Sequence, residues 1–260
     1  MMKDSQLRLR KALPDDSQNI GILHRKTFSQ EVISRSIFSS PDISRYIFNL
    51  IAETLYRQPC EENLFFVAYL GEAFVGYLQA KVFPSTLHIN YIAVAPEYQG
   101  KGIGKSLFNY FQNSIGHLDL EKLTIDVDYS NKIALQWYHN LGFIQKTKTY
   151  VYCKSIKIFK YKPCIFKVSN WLNAEAWQYA FGFSQFILEV KGLQDLKIGR
   201  IGQNYWRIDE AEALNSPELI YALKNIDGSR GDLLISSQSL LSFINTETKE
   251  IIYRMEKFLK

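Results

Sequence analysis

Residues 91–107 read YIAVAPEYQGKGIGKSL, and this stretch decides the fold class. Tyr91 to Val94 are the apolar end of a strand, and Pro96 breaks the ladder because it has no N–H to donate. Gly100, Gly102 and Gly104 carry no Cβ, so the backbone can curl and aim several N–H groups at one point. A helix is expected over 105–115, and the positive end of its dipole falls on the same point. Strand, glycine turn and helix start together form a ready-made phosphate site. Lys101 and Lys105 bring positive charge to it.

The spacing separates this loop from two other phosphate-binding motifs. A Walker loop requires GxxxxGK[ST], whereas this chain reads QGKGIGKS. A dinucleotide fingerprint requires GxGxxG early in a strand-helix-strand unit. Here the glycines alternate, and several strands come first. Residues 7–11 alternate as a first strand. Asp15-Asp16-Ser17 signals a helix start ahead of Ile20, Ile22, Leu23 and Phe28. Residues 42–55 place Ile43, Tyr46, Ile47, Leu50, Ile51 and Leu55 on one helical stripe. Residues 64–70 and 74–82 read as a hairpin through Gly71-Glu72, and 86–94 as the strand that enters the loop.

After the loop, a strand is expected over 123–129, a helix over 131–140 ended by Leu141-Gly142, and a strand or hairpin over 143–158. Residues 125–143, IDVDYSNKIALQWYHNLGF, supply a second motif. Strands alternating with helices predict a mixed α/β sheet. On these residues the chain resembles the GNAT acetyltransferase superfamily. Gln99 to Gly104 match that family's Q/R-x-x-G-x-G/A loop. Val127, Asn131, Ala134, Tyr138, Gly142 and Phe143 match its LxVxxxNxxAxxxYxxxGF pattern, with Ile125 in place of Leu. The resemblance covers residues 5–155 and predicts an acetyltransferase domain over 1–155.

The resemblance implies acetyl-coenzyme A as cofactor and acetyl transfer to an amine. Gln99, Gly100, Lys101, Gly102, Ile103, Gly104 and Lys105 would hold the pyrophosphate. Ile92, Ala93 and Val94 would offer backbone groups to the pantetheine arm and the carbonyl oxygen, as an oxyanion site does. Asn131 and Ala134 would contact the arm, and Asn131 also reads as a helix cap. Tyr138 would protonate the departing thiolate. For the general base, His88 aligns with a Glu that some relatives carry. Asp128 and Asp126 are rivals, a water chain is a further alternative, and Glu97 reads as structural. The acceptor contacts would come from residues 28–55, whose chemistry selects no particular amine.

Residues 156–260 order as β-α-β-β-β-α-β-α-β, a compressed copy of the first part without a cofactor loop. They read as a smaller α+β domain, either a degenerate second acetyltransferase-like unit or an unrelated module, packed so as to shape the amine site. The expected pieces include a helix over 171–181, a hairpin through Lys191-Gly192 and a short helix over 239–244. A local echo at an offset of forty sets Ala174, Trp177, Gly182 and Phe183 against Ala134, Trp137, Gly142 and Phe143. Between Tyr129 and Ala174 there are eight lysines and no acid, which reads as a lysine-blunted edge strand or a surface for anions.

Composition excludes other classes. With 47% hydrophobic and 22% charged residues among 260, the chain is neither disordered nor a fibrous rod. The net charge of +5 is too weak to argue for nucleic acid. It lies wholly in residues 1–160, with 19 basic and 14 acidic side chains, against 12 and 12 in the remainder. A polyanionic cofactor accounts for that excess. Cys60, Cys153 and Cys164 form no CxxC pair, so neither a zinc site nor a disulfide framework is expected. The start of the chain has no apolar signal region, and the longest apolar run, 65–70, is too short for a membrane span. The expectation is a cytoplasmic acyltransferase without metal, monomer or homodimer, acting on a small-molecule amine. The alternatives are a non-catalytic acyl-coenzyme A-binding module and an acetylase of protein substrates.

Overall fold

The computed structural model describes residues 6–56, 62–241 and 250–259. Its first half runs β1 (Leu7–Lys11), α1 (Ser17–Thr27), α2 (Gln30–Ser34), α3 (Ile43–Tyr56), β2 (Asn63–Leu70), β3 (Ala73–Val82), β4 (Thr86–Val94), α4 (Ile103–Ser114), β5 (Lys122–Asp128), α5 (Lys132–Asn140) and β6 (Ile144–Ser155). The second runs β7 (Phe166–Ser169), α6 (Trp171–Phe181), β8 (Phe183–Val190), β9 (Leu193–Ile201), β10 (Tyr205–Ile208), α7 (Pro217–Ile226), β11 (Asp232–Ser237) and β12 (Glu250–Phe258).

One twelve-stranded mixed sheet passes through both halves in the order β1-β2-β3-β4-β5-β12-β6-β11-β10-β9-β8-β7. The order repeats when read from either end. In each half four antiparallel strands lead to one parallel pair, β4–β5 in the first and β10–β11 in the second. Each half then takes its last strand from the other. β12 pairs with β5, from Ile252↔Asp128 to Phe258↔Lys122, and β6 pairs with β11, from Tyr150↔Ser237 to Ser155↔Asp232. β12 and β6 pair with each other at the centre.

This exchange bears on three expectations. Residues 143–158 form no hairpin: β6 is a single strand, because β12 occupies the place a return strand would take. Of the eight lysines, those of β6 do not blunt an edge, whereas Lys167 does lie on the edge strand β7. Lys146 lies over the ring of Phe258, and Lys148 lies between the rings of Tyr150 and Tyr253. Their stems thus cover apolar surface while their heads reach water. The echo at offset forty is not the structural repeat either. α6 lies between β7 and β8, the place that α1 to α3 hold in the first half, whereas α5 lies between β5 and β6.

The expected helix over 239–244 is also absent at Ser239 to Leu241. The Ser239 N–H turns back to Ser237 Oγ at 3.2 Å, and the Leu241 N–H donates to the Tyr152 hydroxyl at 3.1 Å. The rest of that segment, and Cys60, lie outside the described residues.

Alternation along the strands feeds three cores. Ile20, Leu23, Ile43, Ile47 and Ile51 of α1 and α3 pack on Phe65, Val67, Tyr77 and Ala93. On the opposite face, Leu107, Phe108 and Phe111 of α4 pack with Tyr138 on Phe66, Leu78, Ile89 and Ile125. Met255 of β12 is fully buried in this same core. Ile22, one of the apolar residues that follow the helix start, is exposed, whereas His24 of the same helix is buried. The second half has its own core, in which Leu219, Ile220 and Leu223 of α7 pack on Phe186, Ile198, Trp206 and Leu233. The halves meet where the Tyr46 ring contacts Trp177, Phe181 and Phe183. There Gly182, at φ 72°, brings its backbone against Ser40, and a Cβ would come 3.0 Å from Ser40 Oγ. Among the described residues no helix is long and apolar enough to cross a membrane.

Candidate active site

β4 and β5 pair only from Thr86↔Lys122 to Ile89↔Ile125, although β4 runs on to Val94 and β5 to Asp128. Their facing edges part beyond Ile89. The cause is on the other side of β4. Its register with β3 shifts between Gln79, opposite Tyr91, and Ala80, opposite Ile89, which leaves Asn90 as an extra residue. Such a bulge bends its strand and increases the local twist. Ile92, Ala93 and Val94 stay paired to β3 through Leu78, Tyr77 and Gly76. Their β5-facing edge carries no strand among the described residues.

The glycine loop begins where that edge ends. α4 starts at Ile103, not at 105, because Gly102 caps it at φ 81°. Gly104 therefore lies in the first helical turn rather than in the loop. Gly100 also has a positive φ of 74°, and a Cβ on either glycine would meet nothing within 4 Å, so the outer side is open. No side chain caps α4. The Ser106 N–H goes to the Gly102 carbonyl, which leaves the amides of Ile103, Gly104 and Lys105 without a helical partner. Lys105 stands exposed beside them. This cradle fits a pyrophosphate.

The remaining loop side chains brace it. The Gln99 Nε2 donates to the Val94 carbonyl at 3.0 Å. The Lys101 Nζ donates to the Glu97 carbonyl at 3.0 Å and lies 5.1 Å from the Tyr98 ring centre. Glu97 pairs with Lys26 of α1 at 2.7 Å, tying the loop to the first helix.

Across the opening, Asn131 caps α5: its Oδ1 accepts the Ala134 N–H at 3.0 Å. Asp128 shapes the preceding turn, with Oδ1 accepting the Ser130 N–H at 2.7 Å and its carbonyl accepting the Asn131 N–H at 3.0 Å. Tyr138 sits on the inner face of α5 among Trp137, Phe108 and Phe143. Burial raises its phenol above the ordinary value. It is therefore neutral and able to donate.

His88 lies at the closed end of the opening, paired in register with Thr124. Its Nδ1 is 2.9 Å from Thr124 Oγ1, and its Nε2 is 3.9 Å from Asp126 Oδ2. Burial lowers its proton affinity. Asp126 opposes that effect and Arg254 adds to it. Asp128 stands four residues beyond Thr124 on β5, about 13 Å at the usual rise of a strand. The two candidate bases are therefore at opposite ends of the opening and do not act on one point.

A cluster that sequence reasoning missed borders the site. His24 is fully buried, stacked between Phe28 and Phe38 and meeting Tyr91 of β4 edge-on. Its Nδ1 is 2.5 Å from the Tyr77 hydroxyl, and burial brings its imidazole down to about 3, so it is neutral. The signal was present in the i, i+4 spacing from Ile20, but a histidine does not read as a core residue. Next to this cluster a cleft of about 980 Å³ opens between the halves, lined by Arg25, Phe38, Asp42, Glu175, Arg200 and Arg230 among others. It touches the site through Phe38, whose ring centre is 5.3 Å from that of Tyr91.

A strand opened by a bulge, a glycine turn and an uncapped helix together form a cradle that suits a phosphate-bearing ligand with an extended arm. Residues 35–143 match the Acetyltransferase (GNAT) family, and the chain carries an acetyltransferase domain of that family there. The family uses acetyl-coenzyme A. Among relatives, the chain is 29% identical over 126 residues to human N-alpha-acetyltransferase 30, covering 43% of this chain and 34% of that protein. It is 29% identical over 114 residues to an uncharacterized N-acetyltransferase of Methanocaldococcus jannaschii, covering 44% of this chain and 69% of that one. The chain thus spans about a third of the length of the N-alpha-acetyltransferase 30 proteins it matches. A tandem GNAT protein from the clavulanic acid biosynthesis pathway superposes over 97% of this chain and 98% of its own, with a TM-score of 0.67 at 10% identity. That likeness extends the fold to both halves.

Proposed function

We propose that this protein is an N-acetyltransferase that moves an acetyl group from acetyl-coenzyme A to a primary amine by direct attack in a ternary complex. One observation carries the reading: the unpaired edge of Ile92 to Val94 runs directly into the uncapped first turn of α4. The edge suits an extended amide-bearing arm, and the turn suits its pyrophosphate. When bound, the cofactor supplies the thioester. In this reading the amides of Gly100 to Lys105 bind the phosphates, and Gln99 and Lys101 hold the loop in shape. The edge of β4 orients the arm, with Asn131 and Ala134 on its other side. Tyr138, neutral and buried, delivers a proton to the leaving sulfur. His88 Nε2 takes the amine proton, directly or through water. Asp128 holds the turn that precedes Asn131.

Residues 156–260 read as a degenerate second unit of the same kind, supported by the repeated strand order. The cleft that they form with residues 25–42 is the approach for the acceptor. A peptide amine is the second reading, favoured by the likeness to N-alpha-acetyltransferase 30.

Calorimetry with coenzyme A and acetyl-coenzyme A, followed by thiol release against small amines and peptides with free N-termini, tests the reading. Micromolar binding with amine-dependent thiol release is expected. Binding without release from any amine marks a non-catalytic module, and absence of binding removes the proposal.

A further inference from the structure

We infer that Arg254, carried by β12 from the far end of the chain, is a positioning residue for the first half's acid–base group: it holds Asp126 aside and so keeps His88 as a neutral imidazole. The inference deepens the function proposed above, and its catalytic consequence rests on that reading.

The arrangement spans three strands. Leu123, Ile125 and Val127 of β5 point into the core beneath α4 and α5, so Thr124 and Asp126 face the opposite side. His88 is in register with Thr124 there, and Arg254 lies directly opposite Asp126. The guanidinium grips both carboxylate oxygens, Nε on Oδ1 and Nη2 on Oδ2, the latter at 2.8 Å. A two-pronged Arg–carboxylate pair is rigid in direction as well as in distance. It leaves Asp126 Oδ2 at 3.9 Å from His88 Nε2, beyond hydrogen-bond length. His88 Nδ1 is engaged by Thr124 at 2.9 Å; in the tautomer where Nδ1 donates to Thr124 Oγ1, the lone pair lies on Nε2, the atom a substrate amine needs.

Other charges around the ring are turned elsewhere. Lys81, opposite His88 on β3, sends its Nζ over the Phe83 ring. Glu256, farther along β12, is held by Lys122 at 2.9 Å. Asp128 is spent on the turn before α5. Asp126 and Arg254 are the pair that acts on the imidazole. Without Arg254, the carboxylate is free to close on Nε2 and stabilise the protonated ring, which is useless as a base.

The test is an NMR titration of the His88 imidazole in the full chain, with the pH profile of kcat/KM measured alongside. Arg254→Gln is expected to raise the His88 midpoint by about one pH unit, and to cut kcat/KM about tenfold on the acid limb while leaving the plateau nearly intact. Asp126→Asn is expected to lower the midpoint, the double variant to return it near the starting value, and Arg254→Lys to restore part of the shift. An unchanged midpoint in a folded Arg254→Gln protein overturns the inference. If that variant does not fold, Asp126→Asn decides: a midpoint that fails to fall overturns it. If the midpoint moves but the acid limb stays, the positioning stands and His88 is not the base.

Discussion

The two halves share one strand order and differ in the one place where chemistry is done. In the first half the parallel pair β4–β5 separates after Ile89, because the bulge at Asn90 bends β4 away. In the second, every residue of β10 pairs with β11, from Tyr205↔Asp232 to Ile208↔Ile235, and no opening forms. The following connections differ equally. After β4 come three glycines, two lysines and a bare helix start. After β10 come Asp209, Glu210 and Glu212, and α7 is closed by Ser216, whose Oγ accepts the Leu219 N–H. A capped helix behind three carboxylates repels a phosphate. The same architecture thus supports a site only where its local geometry is broken.

The comparison can be broken most severely by separating the halves. A chain of residues 1–155 lacks β12, leaving β5 and β6 with bare edges and the first core without the fully buried Met255. We expect it to be insoluble or molten, as read by near-UV circular dichroism. A cooperative fold with native coenzyme A affinity would show that the exchange is dispensable.

Within the first half, Tyr138→Phe is expected to lower kcat by about a hundredfold, the usual scale for a lost general acid, with coenzyme A affinity changed less than about twofold. Equal turnover would sink the acid role. Gly102→Val forces a β-branched residue into φ 81°. It is expected to weaken coenzyme A binding about tenfold and to cost stability of about 1–3 kcal/mol, measured by calorimetry and thermal melting.

A subtler difference is how the halves respond to acid. His24 binds a proton only near pH 3 in the folded chain, against an ordinary value of 6.5 once unfolded. The unfolded state therefore holds more protons between those limits, and stability is lost as pH falls through that window. The slope reaches about 1.4 kcal/mol per pH unit for one such group. His24→Phe should flatten the denaturation midpoint against pH over that range, and an unchanged slope would refute the assignment. The smallest effect is expected in the second half: Asp209→Asn with Glu212→Gln should leave coenzyme A affinity within about twofold, since removing repulsion there creates no cradle.

Much of this was legible locally. The loop, the α5 motif and nearly all strands carry their signals within a few residues: Pro96, Gly102, Asn131 and the alternation along β8. The failures have a common physical origin. Residues 143–158 left strand and hairpin both open because nothing in them reveals that a strand from the far end fills the gap. Lys146 and Lys148 read as an edge because their cover, Phe258 and Tyr253, is remote in sequence. His24 was passed over because its neutrality comes from Phe28, Phe38 and Tyr77, not from its neighbours in the helix alone.

By itself the sequence determined the backbone chemistry of the cofactor cradle: glycines where φ must be positive, a helix start without a cap, and an apolar strand leading in. These are short-range matters of sterics and hydrogen bonding, settled by adjacent residues. Only the tertiary structure decided which strand lies beside β5, and therefore that Arg254 faces Asp126 across 128 positions of chain. Pairing between distant strands is chosen by burial and register over the whole sheet, and no local window of sequence contains that choice.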